Sequence, residues 1–380
     1  MKKLLLSLPL LALGLQVQAQ QEIYALTGLQ SPNIIFKDFR ALDMRNGQTS
    51  AVIFSSDSTP NVISDTRKVK VDEVKNSYNN AQASAIATLA LDGNNLVYTP
   101  MYSTNFYALD LKTKQITLIE NSVAKSMACD INSHFTRMAT GTDGAIYTLN
   151  NSGSQLLKIS NINGKYEVKD LGEVSNDVSN GDHNFKIMTV GYGGDMVADT
   201  DNNFYIFAAS GNVFKLNTND RVLKYWGKVT GLPENYSLNG AAVNENGEVV
   251  VGSAKGGDLY EVNFNNLTAH AIYGGVQHQI YDLASKHFIG ENKGEVSLVQ
   301  NDIYPTKVTD GNINIQLEPS LTKSLIKVEV FNTVGTKVVE KTLNTGRRMS
   351  LLGLTQGVYI VNVLGEKGET LIAKKVLLAR

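Results

Sequence analysis

Between about Glu22 and Gln300 the apolar positions do not recur at the three-and-four spacing of a helix. They fall in short aliphatic and aromatic runs, cut by Asn, Asp and Gly turns, which is the pattern of β-strands. Four segments share one order of turn, strand, turn, strand: LDGNNLVYTPMYSTNFYALDL, GTDGAIYTLNNSGSQLLKIS, DTDNNFYIFAASGNVFKLN and NENGEVVVGSAKGGDLYEVN. A weaker fifth copy is SKHFIGENKGEVSLV, and ALDMRNGQTSAVIFS reads as a degenerate first one. The first strand residue after each turn is Leu96, Ile146, Phe204, Val249 or Phe288, giving spacings of 50, 58, 45 and 39 residues. Four-stranded units of about this length stack around an axis as the blades of a β-propeller.

One unit shows the logic. In NENGEVVVGSAKGGDLYEVN, Asn246-Gly247 supplies the positive φ angles of a hairpin between the innermost and second strands. Val249 and Val251 then face one side and Val250 the other, Gly256-Gly257 turns the chain again, and Leu259 to Val262 forms a third strand. Ala269 to Tyr273 supplies the fourth. Counting copies gives an all-β fold with six blades; the poor first copy leaves five or seven open, and a chain of β-sandwiches is the rival architecture. The strand from Glu22 to Leu26 has no unit of its own, and is expected to close the ring by pairing with the last unit, which removes two sheet edges.

The last eighty residues change character. Ile326, Val328 and Val330 alternate with Lys327, Glu329 and Phe331, and a later strand sets Tyr359, Val361 and Val363 against Val358, Ile360 and Asn362. Gly335, Gly346 and Gly357 punctuate these strands, as in a small Ig-like sandwich. The order of short motifs is more specific: Tyr304-Pro305, then Asn332 and Gly335 (N-x-x-G), then Leu354, Gly357, Val358 and Tyr359 (L-x-x-G-V-Y), then Lys374-Lys375-Val376. This series resembles the C-terminal type A sorting domain of Bacteroidetes proteins exported by the type IX secretion system. Where that family carries Pro-Asn-Pro, this chain has Pro305-Thr306-Lys307. The resemblance implies recognition by the type IX machinery, passage across the outer membrane from the periplasm, removal of the tail, and release or anchoring at the cell surface.

The front of the chain agrees with that route. Lys2 and Lys3 precede an apolar run from Leu4 to Leu15, and Val17-Gln18-Ala19 places small residues for cleavage after Ala19, as in a secretory signal peptide. That run is too short to span a bilayer, and no later stretch is long enough. The expected organisation is therefore a signal peptide at 1–19, a propeller at 20–300 and a sorting domain at 301–380.

Charge is unevenly shared. Residues 301–380 carry 11 Lys and Arg against 7 Asp and Glu, whereas the region between the signal and the tail carries 22 against 29. An acidic central domain argues against nucleic acid as a partner. The single cysteine, Cys129, excludes an intrachain disulfide, and its apolar neighbours in MACDI predict a buried, inert thiol.

Catalytic motifs are absent. His134, His183, His270, His278 and His287 show no zinc spacing, and there is no G-x-S-x-G elbow or P-loop. The glycines around Gly191 to Gly194 have no helix behind them and read as turn residues. Propellers bind ligands at the mouth of the central channel, where the innermost strands begin. A constant offset of ten residues before the second strand places those starts near Ile86, Thr136, Gly194, Asn239 and His278. The channel candidates are accordingly Arg137, Asp195, Asn239 and His278. SLNGAAVNENGEVVV resembles a repeat of lactonase-type and lyase-type propellers, which implies that Asp195 and Asn239 could hold calcium or magnesium; no metal motif is otherwise present. Tyr102, Phe106, Tyr192, Trp226 and Tyr236 lie in or near loops, where rings stack on sugars or peptides. Three functions fit: a secreted or surface binding protein for a glycan, peptide or protein; a cation-dependent propeller lyase or lactone hydrolase; and a structural surface protein without a ligand.

Overall fold

A computed structural model describes residues 23–379, apart from 30–34, 45, 57–60, 74–84, 190–192, 274–275, 292–300, 318–324, 344–346 and 366–367. The signal segment with Ala19, and Gly191 and Tyr192, lie outside the described residues. The chain divides into two compact units, Met1–Lys293 and Gly294–Arg380.

The first unit is a β-propeller. Blade 1 runs outward through Ile86–Asp92, Asn95–Pro100, Phe106–Asp110 and Ile116–Ile119, with Val62–Ser64 added in parallel outside. Blade 2 is Phe135–Thr140, Ile146–Asn150, Leu156–Ile162 and Lys165–Gly172. Blade 3 is Gly194–Ala198, Phe204–Ala208, Asn212–Asn217 and Val222–Lys228, with Ser175–Asn176 parallel outside. Blade 4 is Leu238–Val243, Val249–Ser253, Leu259–Asn263 and Thr268–Tyr273. The innermost strands of successive blades pack side by side, and Gln279–Ser285 packs against Ile86–Asp92 to complete the circle.

Among the described residues there are five blades, not six. The degenerate first copy shares one blade with Gln279–Ser285, the strand that leads into the last copy. Its innermost strand is Gln279–Ser285, its second is Ile23–Leu29 and its third is Ile35–Asp43, flanked by Gln48–Thr49 and Phe54–Ser55. Ile23–Leu29 pairs with both neighbours, from Ile23 opposite Ser285 to Gly28 opposite Gln279. The amino-terminal strand therefore closes the ring, but as an internal strand of blade 5. Among the described residues after Gln279–Ser285 there is no second strand before the sorting unit; Ile289 makes an isolated bridge to Asp199 of blade 3.

Burial follows the alternation in the sequence. In blade 4, Val249 and Val251 join one apolar cluster with Leu238, Val243 and Val262, whereas Val250 joins another with Ala242 and Ile280. Each of the three valines is fully buried, a contribution of roughly 1.5–3 kcal/mol apiece. Gly247 turns the inner hairpin at φ +76°, and a Cβ there would lie 2.2 Å from the Glu291 carbonyl oxygen, so both conformation and space call for glycine.

The second unit is a two-sheet Ig-like sandwich. One sheet orders Asp302–Tyr304, Asn312–Gln316 and Arg348–Ser350; the other orders Lys307–Val308, Thr370–Leu378, Gly357–Leu364, Ile326–Asn332 and Lys337–Leu343. Ile303, Ile313, Val328, Val361, Val363 and Val376 meet in its core.

Candidate functional site: the throat of the propeller

Each innermost strand carries one equivalent position near its start: Thr88, Arg137, Asp195, Gly240 and Asp282. In four of the five, a β-bulge immediately precedes it, between Ile86 and Thr88, Phe135 and Arg137, Leu238 and Gly240, and opposite Leu26 and Thr27 for Asp282. Bulges re-aim the following side chain. Arg137 and Asp282 reach the next blade in this way, and Asp195 does so without a bulge.

The resulting contacts run in one direction around the ring. Arg137 Nη2 of blade 2 donates to the Gly193 carbonyl leading into blade 3 at 3.3 Å, while Nη1 donates to Asn150 O at 3.3 Å. Asp195 Oδ2 of blade 3 accepts the Ala241 amide of blade 4 at 2.7 Å, and Oδ1 accepts the Met196 amide at 2.7 Å. Asp282 Oδ1 of blade 5 accepts the Leu89 amide of blade 1 at 3.1 Å. Gly240 has no side chain to send onward, and Asp195 Oδ2 spans the gap to the Leu283 amide of blade 5 at 3.4 Å. A Cβ on Gly240 would meet Leu283 Cγ at 2.9 Å and the Asp282 carbonyl carbon at 3.0 Å.

All four side chains of this ring are buried. Burial pushes the Asp195 carboxyl well above the usual carboxylate range, against the opposing pull of three amides and of Arg137. Asp282 is raised well above that range too, by burial and then by the charge of Asp195; the Leu89 amide and the Thr88 hydroxyl beside it pull the other way. Burial also lowers Arg137 to about 10, opposed by Asp195.

Two positions further along, the inner strands carry Ala90, Ala139, Val197, Ala242 and Ala284. They contribute to a cavity of about 20 Å³, room for roughly one water molecule. Among the described residues, this cavity is too small for an organic substrate.

The sequence-derived candidates divide accordingly. Arg137 and Asp195 come together in the ring. Asn239 occupies the bulge before Gly240, where its Oδ1 accepts the Ala254 amide at 3.2 Å and its side chain lies against Gly193. His278 stands apart, half-buried, with Nδ1 2.7 Å from Thr49 Oγ1; burial and then Arg40 lower its pKa, against the pull of Asp38. Asp282 was missed. The ten-residue offset was taken from Phe288, which begins no second strand, so the blade 5 position was misplaced. The matching strings GDMVA and YDLA carried the signal. Among the described residues, no three His, Cys, Asp or Glu side chains converge as a metal site. Asp195 directs both oxygens at amide hydrogens rather than at a shared cation position.

Other residues also moved from expectation. Cys129 is exposed, because MACDI lies in the loop before blade 2 and not in a strand. Phe106 is fully buried, and Tyr236 is half-buried with its hydroxyl donating to Val251 O and Asp258 O at 3.1 Å. Tyr102 meets the His134 ring edge-on at 4.3 Å. Trp226 is 42% exposed but packs on Phe264 and Tyr205.

In the tail, most motif residues build the fold. Asn332 Oδ1 accepts the Val334 and Thr336 amides and Gly335 adopts φ +83°, so N-x-x-G is a turn. Leu354 packs on the core, and Gly357 opens the strand that carries Tyr359. Tyr359 is buried, and its hydroxyl donates to Thr355 O at 2.8 Å, a tyrosine corner. Lys374 pairs with Asp302 across the sheets, Lys375 and Pro305 are exposed, and Tyr304 is half-buried beside Pro305.

Residues 302–378 match the family model described as the secretion system C-terminal sorting domain. No curated protein matches the chain. Among solved structures, the extracellular domain of a one-component system from B. thetaiotaomicron is 12% identical, with a TM-score of 0.34 over 90% of this chain and 48% of that one. This chain thus spans about half the length of that domain. PorZ, a surface component of the type IX secretion system of Porphyromonas gingivalis, is 12% identical, with a TM-score of 0.29 over 94% of this chain and 51% of PorZ. A Bacteroides thetaiotaomicron protein of unknown function is 11% identical, with a TM-score of 0.40 over 77% and 72% of the two chains. None of the three reaches a TM-score of 0.5. On its ordered motifs and its family match, the C-terminal unit is a type IX secretion sorting domain, which directs the chain to the cell surface or beyond.

Proposed function

We propose that the chain is a secreted or cell-surface binding protein whose propeller meets a peptide or protein partner on the face where loops lead into the innermost strands. The observation that carries this reading is that, among the described residues, Arg137, Asp195 and Asp282 are committed to contacts between blades rather than to a ligand. The face above them offers contact surface. Met127, in the loop before blade 2, is 63% exposed; Val178 and Ile187, in the loop before blade 3, are 100% and 70% exposed. Asn151 ties the two loops together, since its amide donates to His134 O and its carbonyl accepts Thr189 Oγ1. Large apolar side chains on anchored loops suit a protein partner.

Peptide and glycan arrays probed with the chain test this. Peptide hits that vanish in Met127→Glu/Ile187→Glu support it. Glycan hits alone, or peptide hits unchanged by the substitutions, overturn it.

A further inference from the structure

We infer that Asp282 is protonated in the folded propeller while Asp195 is ionised, so that the two buried carboxyls carry one proton between them. The two carboxyls occupy equivalent positions on their strands but have unequal partners. Asp195 accepts three amide hydrogens and lies near the Arg137 guanidinium, a surrounding that suits an anion. Asp282 accepts only the Leu89 amide; its Oδ2 is buried without a hydrogen-bond partner among the described residues. Protonation of Asp282 removes a second negative charge from an interior that offers its carboxyl only one backbone amide.

The surrounding charges agree. Blade 1 presents the neutral Thr88 and Leu89, blade 2 presents Arg137 and blade 3 presents Asp195. The inner strand of blade 4, Leu238–Val243, contains no titratable group. His287, at the edge of the cavity, is paired with Glu291. One buried cation thus faces two carboxyls, and one carboxylate balances it.

The sign follows from linkage. An unfolded Asp loses its proton near pH 4, whereas folded Asp282 retains it. Between these limits the folded state binds one more proton, so stability contributed by Asp282 falls as pH rises. The expected loss is about tenfold in the folding equilibrium constant per pH unit.

The test compares denaturant unfolding of the full chain and of Asp282→Asn across the neutral range. Asparagine keeps the shape and a donor without titrating. A wild-type slope steeper than that of Asp282→Asn by about one proton supports the inference; equal slopes overturn it. Should Asp282→Asn not fold, carbon NMR of wild type labelled at the Asp carboxyls decides. One carboxyl signal that stays protonated at neutral pH supports the inference, and its absence overturns it.

Discussion

The Asp195 carboxylate accepts the Ala241 amide hydrogen at 2.7 Å, so a side chain of blade 3 completes the inner backbone edge of blade 4. Its further reach to Leu283 depends on the bare Cα of Gly240 between them. The ring is therefore held by polar contacts as well as by the small residues beneath it.

Gly240→Val should destabilise the propeller. Any side chain at this position enters the space held by Leu283 and the Asp282 backbone, and overpacking of this kind costs about 1–3 kcal/mol. Chemical denaturation of the variant checks it; unchanged stability would mean that the inner strands separate freely.

Removing residues 20–29 should abolish cooperative unfolding of the propeller, because blade 5 then loses the strand between Gln279–Ser285 and Ile35–Asp43. Two sheet edges would be exposed, and association of the truncated chain is expected. Calorimetry with light scattering reads both effects. A single sharp transition in a monomer would show that blade 5 closes without it.

In the sorting domain, deleting 301–380 should hold the propeller in the periplasm of a type IX-competent host, whereas Tyr359→Phe removes only the hydroxyl bonded to Thr355 and should lower the stability of that unit by about 1 kcal/mol. Cell fractionation and unfolding of the isolated variant provide the two readouts. Surface delivery of the deletion would remove the tail from the export route.

Local chemistry made much of this legible. Asn246-Gly247 and the alternating valines after it specify a hairpin with two apolar faces, and the motifs at Asn332, Gly335 and Tyr359 specify turns and a corner. Blade number was not local. The ring-closing pairing of Ile23–Leu29 was expected, but its placing of Ile35–Asp43 in the same blade as Gln279–Ser285 joins segments that no window of sequence contains. The error carried into the candidate site, since counting back from Phe288 reached His278 rather than Asp282. The exposure of Cys129 was hidden for a related reason: apolar neighbours such as Met127 are also solvent-facing in their loop.

Blade 5 also imposes an order on events during synthesis. Ile23–Leu29 is made well before its inner partner, Gln279–Ser285, which follows about 250 residues later. Until then one edge of Ile23–Leu29 has no native partner, and loop closure over that distance makes its pairing late and slow. Blades 2 and 4, each a continuous meander, need no such wait. Sealing the circle is the step in which a delayed or misdirected chain would find a partner in a neighbouring molecule instead of itself.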